Sequence, residues 1–221
     1  MALPFSDVPE ARGLYDPASE SDSCGVAFVA DLNGRASHTI VEQALTALRN
    51  LDHRGAAGAD PSSGDGAGIT VQLPDAFLRA AAGFELPAAG SYAAGLAFLP
   101  VDARDAAAVA GLVEQTAHEE GLRVLGWREV PTRPDGLGPT ALSVMPAFAQ
   151  LFVAGADGQR GLELERRAFA LRKVAERRAR ERGLELYFPS LSARTLVYKG
   201  MFTTGQLASL FPDLRDERFA S

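Results

Sequence analysis

Residues 51–69 read Leu51-Asp52-His53-Arg54-Gly55-Ala56-Ala57-Gly58-Ala59-Asp60-Pro61-Ser62-Ser63-Gly64-Asp65-Gly66-Ala67-Gly68-Ile69. Five glycines and one proline between His53 and Gly68 exclude a regular helix. Glycine permits positive φ and lets backbone approach a ligand or another segment closely. Arg54 offers a rigid fork of donors for a carboxylate or for backbone carbonyls. Asp60 and Asp65 can anchor the loop or accept bonds from an amine. A phosphate cradle does not fit. No Lys-Ser/Thr follows the glycines, and Gly64-x-Gly66-x-Gly68 runs into a strand-like stretch, Ile69 to Leu73, not a helix. From these residues alone a tightly packed structural loop and a functional loop both stay open. His53 reads more readily as a satisfied loop histidine than as a base.

Upstream, Ile40, Ala44, Ala47, Leu48 and Leu51 recur at helical spacing, and Thr39 with Glu42 can form a capping box. Before that helix, Asn33-Gly34 is a hairpin signal, since both residues tolerate positive φ. Cys24 to Ala30 is a short apolar run that predicts a buried strand. Residues 1–23 carry Pro4, Pro9, Pro17 and a polar, acidic stretch from Asp16 to Ser23, which predicts an irregular leader. Cys24 is the one cysteine, and a lone cysteine is usually a small buried hydrophobe.

Downstream, the pattern predicts a short helix over 75–82, a strand over 92–99 and a helix over 105–120 stopped by Gly121. Strands over 122–130 and 149–154 follow. A long helix over 162–182 ends at Gly183, and two strands over 184–188 and 194–199 close the series. This order predicts an α+β layered fold. On the long helix Leu164, Ala168, Leu171 and Ala175 form one apolar face. Its eight cations between Arg166 and Arg182 interleave with glutamates at i,i+4 spacing, which favours a solvated, salt-bridged face over a nucleic-acid grip.

At 221 residues and 47% hydrophobic content the chain can bury a core without disulfide or metal staples. A net charge of −6 argues against a general nucleic-acid partner. One cysteine excludes a disulfide scaffold, and His38, His53 and His118 stand at no metal-ligand spacing. The longest uncharged stretch, 136–156, is broken by Gly136, Gly138, Pro139 and Pro146 and reads as a loop followed by a buried strand, not a membrane span. With no targeting segment recognised, the expected location is cytoplasmic.

Taken together, Cys24-Gly25-Val26, the helix after it, Leu51 to Ala56 and Ser63 to Ile69 resemble the start of the class II glutamine amidotransferase domain of the glutamate synthase large subunit. Val124 to Pro131, Leu191 to Met201 and Pro212-Asp213-Leu214 look like the same family. The resemblance runs from about Tyr15 onward. It implies an N-terminal-nucleophile hydrolase fold, a four-layer αββα sandwich. It implies that residues 1–23 are a propeptide removed to expose Cys24, so that 24–221 form the amidotransferase part. Cys24 would attack the side-chain amide of L-glutamine and release ammonia for transfer to 2-oxoglutarate. A free α-amino group, with a pKa of about 7.7–8.0, can then act as the local base for a thiol of pKa about 8.5. By the same resemblance Arg54 and Gly55 orient the nucleophile, and Asp65 and Gly66 belong to a nearby supporting loop.

The family's oxyanion hole uses an Asn-Gly pair well downstream of the cysteine. The two asparagines here, Asn33 and Asn50, do not match it. The residues for the substrate carboxylate and amino group also fall beyond Ser221. The expectation is therefore the N-terminal part of the domain, incomplete at the C-terminus and inactive as an isolated fragment. FMN and an iron–sulfur cluster are implied for the parent enzyme and not for this chain. The implied partners are the remainder of the large subunit and its small subunit. Two alternatives stand beside this reading: a non-catalytic partner-binding module, and a class II amidotransferase of another family such as the phosphoribosylpyrophosphate type. The Ser63 to Gly68 loop and the long insertion favour glutamate synthase.

Overall fold

The computed structural model describes Arg12 and Gly13, residues 24–55 and residues 60–221. The rest of the expected leader and residues 56–59 lie outside the described residues. Helix α1 (His38–Asn50) is followed by a 3-10 turn, Asp52–Arg54. Then come β1 (Ala67–Gln72), α2 (Asp75–Ala81), β2 (Ala93–Leu99), α3 (Ala103–Glu119), β3 (Leu122–Glu129), α4 (Pro139–Ser143) and β4 (Ala147–Gly155). The chain continues through α5 (Gly161–Glu181), β5 (Thr195–Gly200), α6 (Leu207–Leu210) and a 3-10 turn, Pro212–Arg215.

The strands make two antiparallel sheets, β1-β5 and β2-β4-β3. Side chains alternate across a strand, so β2 and β4 each feed two cores. Ala93 and Ala97 of β2 and Leu151 and Val153 of β4 face Val109, Leu112 and Val113 of α3 and Leu164, Ala168, Leu171 and Ala175 of α5. Ala94, Leu96 and Phe152 point the other way, into a core shared with Ile69, Val71, Leu196 and Tyr198 of the smaller sheet. Val41 and Leu45 of α1 join that second core against β1. Helices, sheet and sheet thus stack in order, the α+β arrangement expected.

The crossing between the sheets depends on Gly95. The segment Ser190–Leu191 passes over β2 so closely that any side chain at Gly95 would meet the Ser190 carbonyl and the Leu191 backbone. Ser192 braces the crossing: its hydroxyl accepts from Arg194 N at 2.9 Å and Thr195 N at 3.1 Å, and donates to Glu165 of α5. Where a strand over 184–188 was expected, only Tyr187 pairs with Phe98 of β2. Phe188 N–H faces away from β2 and donates to the buried Glu176 Oε1 at 2.9 Å, so the contact with β2 stays a single bridge.

Three further expectations need correction. Cys24 to Ala30 is not a buried strand: Val26 is 85% and Phe28 92% exposed, and among the described residues no strand pairs with it. An apolar run becomes a strand only when a neighbour completes its ladder. Asn33-Gly34 makes a turn, with Gly34 at φ +68° and its N–H on Asp31 O, but it joins no pair of strands. Helix α1 has Ser37, not Thr39, at its N-cap and no side-chain cap; the backbones of Ser37 and Ser221 pair there instead.

A polar cluster is buried between the sheets. Arg128 of β3 donates to both carboxylate oxygens of Asp213 at 2.8 Å and to Gln150 Oε1 at 2.8 Å. Tyr198 of β5 donates to Asp213 Oδ2 at 2.7 Å and accepts from Gln150 Nε2 at 2.8 Å. Burial, reinforced by the Asp213 charge, pushes the Tyr198 phenol well above its ordinary value.

Asp213→Ala strands the Arg128 guanidinium without its counter-charge and is expected to cost about 3–5 kcal/mol in urea unfolding. Because Tyr198 holds its proton more tightly when folded, its stabilising share is full below the unfolded pKa of about 10 and is lost as pH rises beyond it. Tyr198→Phe should flatten that alkaline limb. A loss of under 1 kcal/mol for Asp213→Ala would show that the pair is not essential to the core.

Candidate active site

Cys24 is exposed at the start of the described segment. The residue after it explains where the chain runs. A Cβ built on Gly25 would stand 3.1 Å from Arg54 Cβ and 3.2 Å from Leu51 Cβ. Those separations are below ordinary van der Waals contact, so glycine lets the chain beside Cys24 lie on this turn without pushing its side chains aside. The turn itself is held by Arg54 N on Leu51 O at 2.8 Å and Gly55 N on Asp52 O at 3.0 Å. Its histidine is engaged locally, His53 Nδ1 lying 3.1 Å from Asn50 O.

Gly55 faces the glycine loop. A Cβ there would stand 3.7 Å from Asp65 Oδ1. Gly66, at φ +143°, lies against Gly200 O at the end of β5. The structure therefore brings Cys24-Gly25, Arg54, Gly55, Asp65 and Gly66 into one neighbourhood. Among the described residues neither the Arg54 guanidinium nor the Asp65 carboxylate has a hydrogen-bond partner, and both are exposed.

The loop is anchored from outside this group. Gly64 lies under the Phe202–Thr203 peptide, with no room for a side chain. Asp60 accepts from Ser62 N at 3.1 Å, Ser63 Oγ at 2.7 Å and Thr140 N at 3.2 Å, the last at the start of α4. Ser63 Oγ in turn accepts from Ala141 N at 3.0 Å. The Ser63 bond, with the Thr140 and Ser62 amides, lowers the Asp60 pKa below its ordinary value despite some desolvation. Thr204 Oγ1 donates to Asp52 Oδ1 at 2.6 Å, and Gln206 Nε2 donates to Ser62 O and Gly136 O. Asp52, Thr204, Gln206 and the α4 amides are the residues that sequence reasoning missed. Thr203-x-x-Gln206 ahead of an apolar turn is a readable capping signal, and Gln206 Oε1 does accept from Thr203 N at 2.7 Å. Its reach to Ser62 and Gly136, and that of Thr204 to Asp52, is tertiary.

A groove of about 380 Å³ starts at Gly25 and runs between residues 25–29, α1 and β1, lined by Ile40, Val41, Ala44, Leu48, Ile69 and Val71. A second, mostly apolar cavity of about 470 Å³ lies between Phe98, Met145, Phe148, Tyr187 and Met201 and contains none of the site residues except through the Gly200–Phe202 turn beneath it. The residues do not fit an iron–sulfur cluster: clusters need several thiolates and the chain has one. Among the described residues no group of three or more His, Cys, Asp or Glu converges. The glycine loop enters strand β1 rather than a helix, so it offers no helix N-terminus to a flavin phosphate. No helix among the described residues is long and apolar enough to cross a membrane.

A family model described as glutamine amidotransferases class-II matches residues 24–221, beginning at Cys24. The chain is 39% identical over 221 residues to the glutamate synthase [NADPH] large chain of Bacillus subtilis, covering 99% of this chain and 14% of that one. It is 38% identical over 229 residues to ferredoxin-dependent glutamate synthase 1 of Arabidopsis thaliana, covering 100% and 14%. It is 38% identical over 225 residues to glutamate synthase [NADH] of Schizosaccharomyces pombe, covering 97% and 10%. The chain thus spans no more than 14% of the length of these curated relatives.

The Asp60 clamp carries a pH signature. Its folded pKa is depressed, so its contribution is present above the unfolded value of about 3.9 and is lost as pH falls through the lower folded value. The protection of Thr140 N against hydrogen exchange, relative to its intrinsic rate at each pH, should fall over that acid window, and Asp60→Asn should lower it already at pH 7. Unchanged protection in Asp60→Asn would mean that α4 holds the amide without the carboxylate.

Proposed function

The chain belongs to the class II glutamine amidotransferases, and from that premise we propose that it supplies the glutamine-hydrolysing part of a glutamate synthase, with Cys24 as nucleophile. The observation that carries the reading is the seating of Gly25 on Arg54, which sets an exposed thiol beside the arginine turn and the glycine loop. The N-terminal-nucleophile hydrolase fold of the family suits this chemistry, since one residue then provides both thiol and amine.

In the proposed reaction the Cys24 sulfur adds to the side-chain amide carbon of L-glutamine. The C–N bond breaks, the nitrogen leaves as ammonia after taking a proton, and a γ-glutamyl thioester remains. Water then adds to the thioester and releases glutamate and the thiol. The Cys24 α-amino group serves as base only after the peptide bond to Ser23 is cut, which makes residues 1–23 a propeptide. That the family match starts at Cys24 supports this reading. Arg54 and Gly55 orient the nucleophile, and Asp65 and Gly66 belong to the supporting loop opposite. Ammonia would go on to 2-oxoglutarate at a site on another part of the polypeptide. FMN and the iron–sulfur cluster belong there, as does contact with a small subunit.

In the full-length protein Cys24→Ala should abolish glutamine-dependent glutamate formation and spare the ammonia-dependent reaction. Arg54→Ala should lower the glutamine-dependent rate about ten- to a hundredfold, the scale of a misplaced reacting group. Intact mass should show an N-terminus at Cys24. An active enzyme that retains residues 1–23 would refute the free-amine mechanism, and equal loss of both activities in Arg54→Ala would assign Arg54 to folding.

A further inference from the structure

Three segments distant in sequence meet at the turn after β5. Thr204 Oγ1 bonds the carboxylate of Asp52, the first residue of the 3-10 turn that ends in Arg54. At 2.6 Å this is in the range of a charge-assisted hydroxyl–carboxylate bond. Two residues back, the Phe202–Thr203 peptide packs on Gly64 of the glycine loop. Two residues forward, Gln206 closes the turn through Thr203 N and reaches Ser62 O and Gly136 O. Beyond its own backbone bonds the arginine turn has few other fixed points. Asp52, His53, Arg54 and Asp65 are all exposed, and only Leu51 of that turn is half-buried. An exposed turn without a packed core holds its side chains in place only through such bonds.

We infer that the Phe202–Gln206 turn is a positioning clamp for the candidate active site, and that Thr204, acting through Asp52, fixes Arg54 against Gly25 and so orients Cys24. Thr204 touches neither Cys24 nor the groove beside it, so it is a positioning residue and not a catalytic one. The inference rests on Cys24 hydrolysing glutamine. It adds two residues, Asp52 and Thr204, and a direction of action: from the turn, through the carboxylate, to the arginine. The hydroxyl is what matters, so serine should serve in place of threonine and valine should not. The Asp52 charge matters as well, because an amide oxygen is a weaker acceptor than a carboxylate.

The test is a double-mutant cycle in the full-length protein, with Thr204→Val, Thr204→Ser, Asp52→Asn, Arg54→Ala and the combined Thr204→Val/Arg54→Ala variant. Glutamine hydrolysis, the rate of Cys24 alkylation by iodoacetamide and the melting temperature are read for each. Thr204→Val and Asp52→Asn are expected to lower glutamine hydrolysis about tenfold and to alter alkylation, with Thr204→Ser within about twofold of the parent, as a positioning effect requires. The combined variant should be no worse than Arg54→Ala alone, because the two act on one path. Additive losses, an unimpaired Thr204→Val, or a Thr204→Ser as impaired as the valine variant would overturn the clamp. Asp52→Asn keeps the side-chain shape and decides the matter should the valine variant fold poorly. Hydrolysis that survives Cys24→Ala would instead overturn the nucleophile assignment, an outcome separable from any result at Thr204.

Discussion

The bidentate pair between Arg128 and Asp213 is the interaction on which the rest of the molecule depends. Its two side chains are 10% and 3% exposed, so both charges are almost wholly removed from water. Such a pair survives only if the remaining donors and acceptors are also satisfied. Gln150 and Tyr198 complete it, and among the described residues no buried side-chain polar atom lacks a partner. The four residues come from β3, β4, β5 and the 3-10 turn near the end of the chain. Their geometry therefore specifies how one sheet sits on the other. A purely apolar interface would tolerate sliding by a residue, whereas a two-pronged bond does not.

That constraint reaches the site through β5. Tyr198 is locked to Asp213, and two residues later Gly200 lies against Gly66. The next turn carries Phe202 over Gly64 and Thr204 to Asp52. The glycine loop is thus pressed between a strand placed by the buried cluster and a helix start, α4, placed by Asp60 and Ser63. Three of the glycines here have a reason in space: Gly25 lies tightly on Arg54, Gly64 admits a peptide, and Gly66 takes a φ that other residues avoid.

Much of the fold was legible because periodicity reflects burial. The apolar face of α5, Leu164, Ala168, Leu171 and Ala175, is fully buried, as its spacing predicts. Its exposed side pairs Arg167 with Glu163 and Arg177 with Glu181, the i,i+4 pattern expected of a solvated helix, while Glu176, also paired with Arg172, is buried. Strands β1 to β5 fall within a few residues of their expected places. The failures share one cause. Whether Val26 and Phe28 are buried, or whether Leu184 to Phe188 forms a ladder, depends on which backbone lies alongside, and a local pattern cannot name that neighbour.

By itself the sequence determined the class of the fold, the order of its elements and the family signal around Cys24, Arg54 and the glycine loop. These are local properties: side-chain period, glycine placement and residue type at short spacing. Only the tertiary structure decided that Gly25 lies on Arg54, that Gly55 faces Asp65, and that Thr204 holds Asp52 from 152 residues away. It likewise decided that Arg128 and Asp213, 85 residues apart, share one buried bond. Contacts of that kind are selected by the packing of two sheets and a helix layer as a whole, and no segment carries them alone.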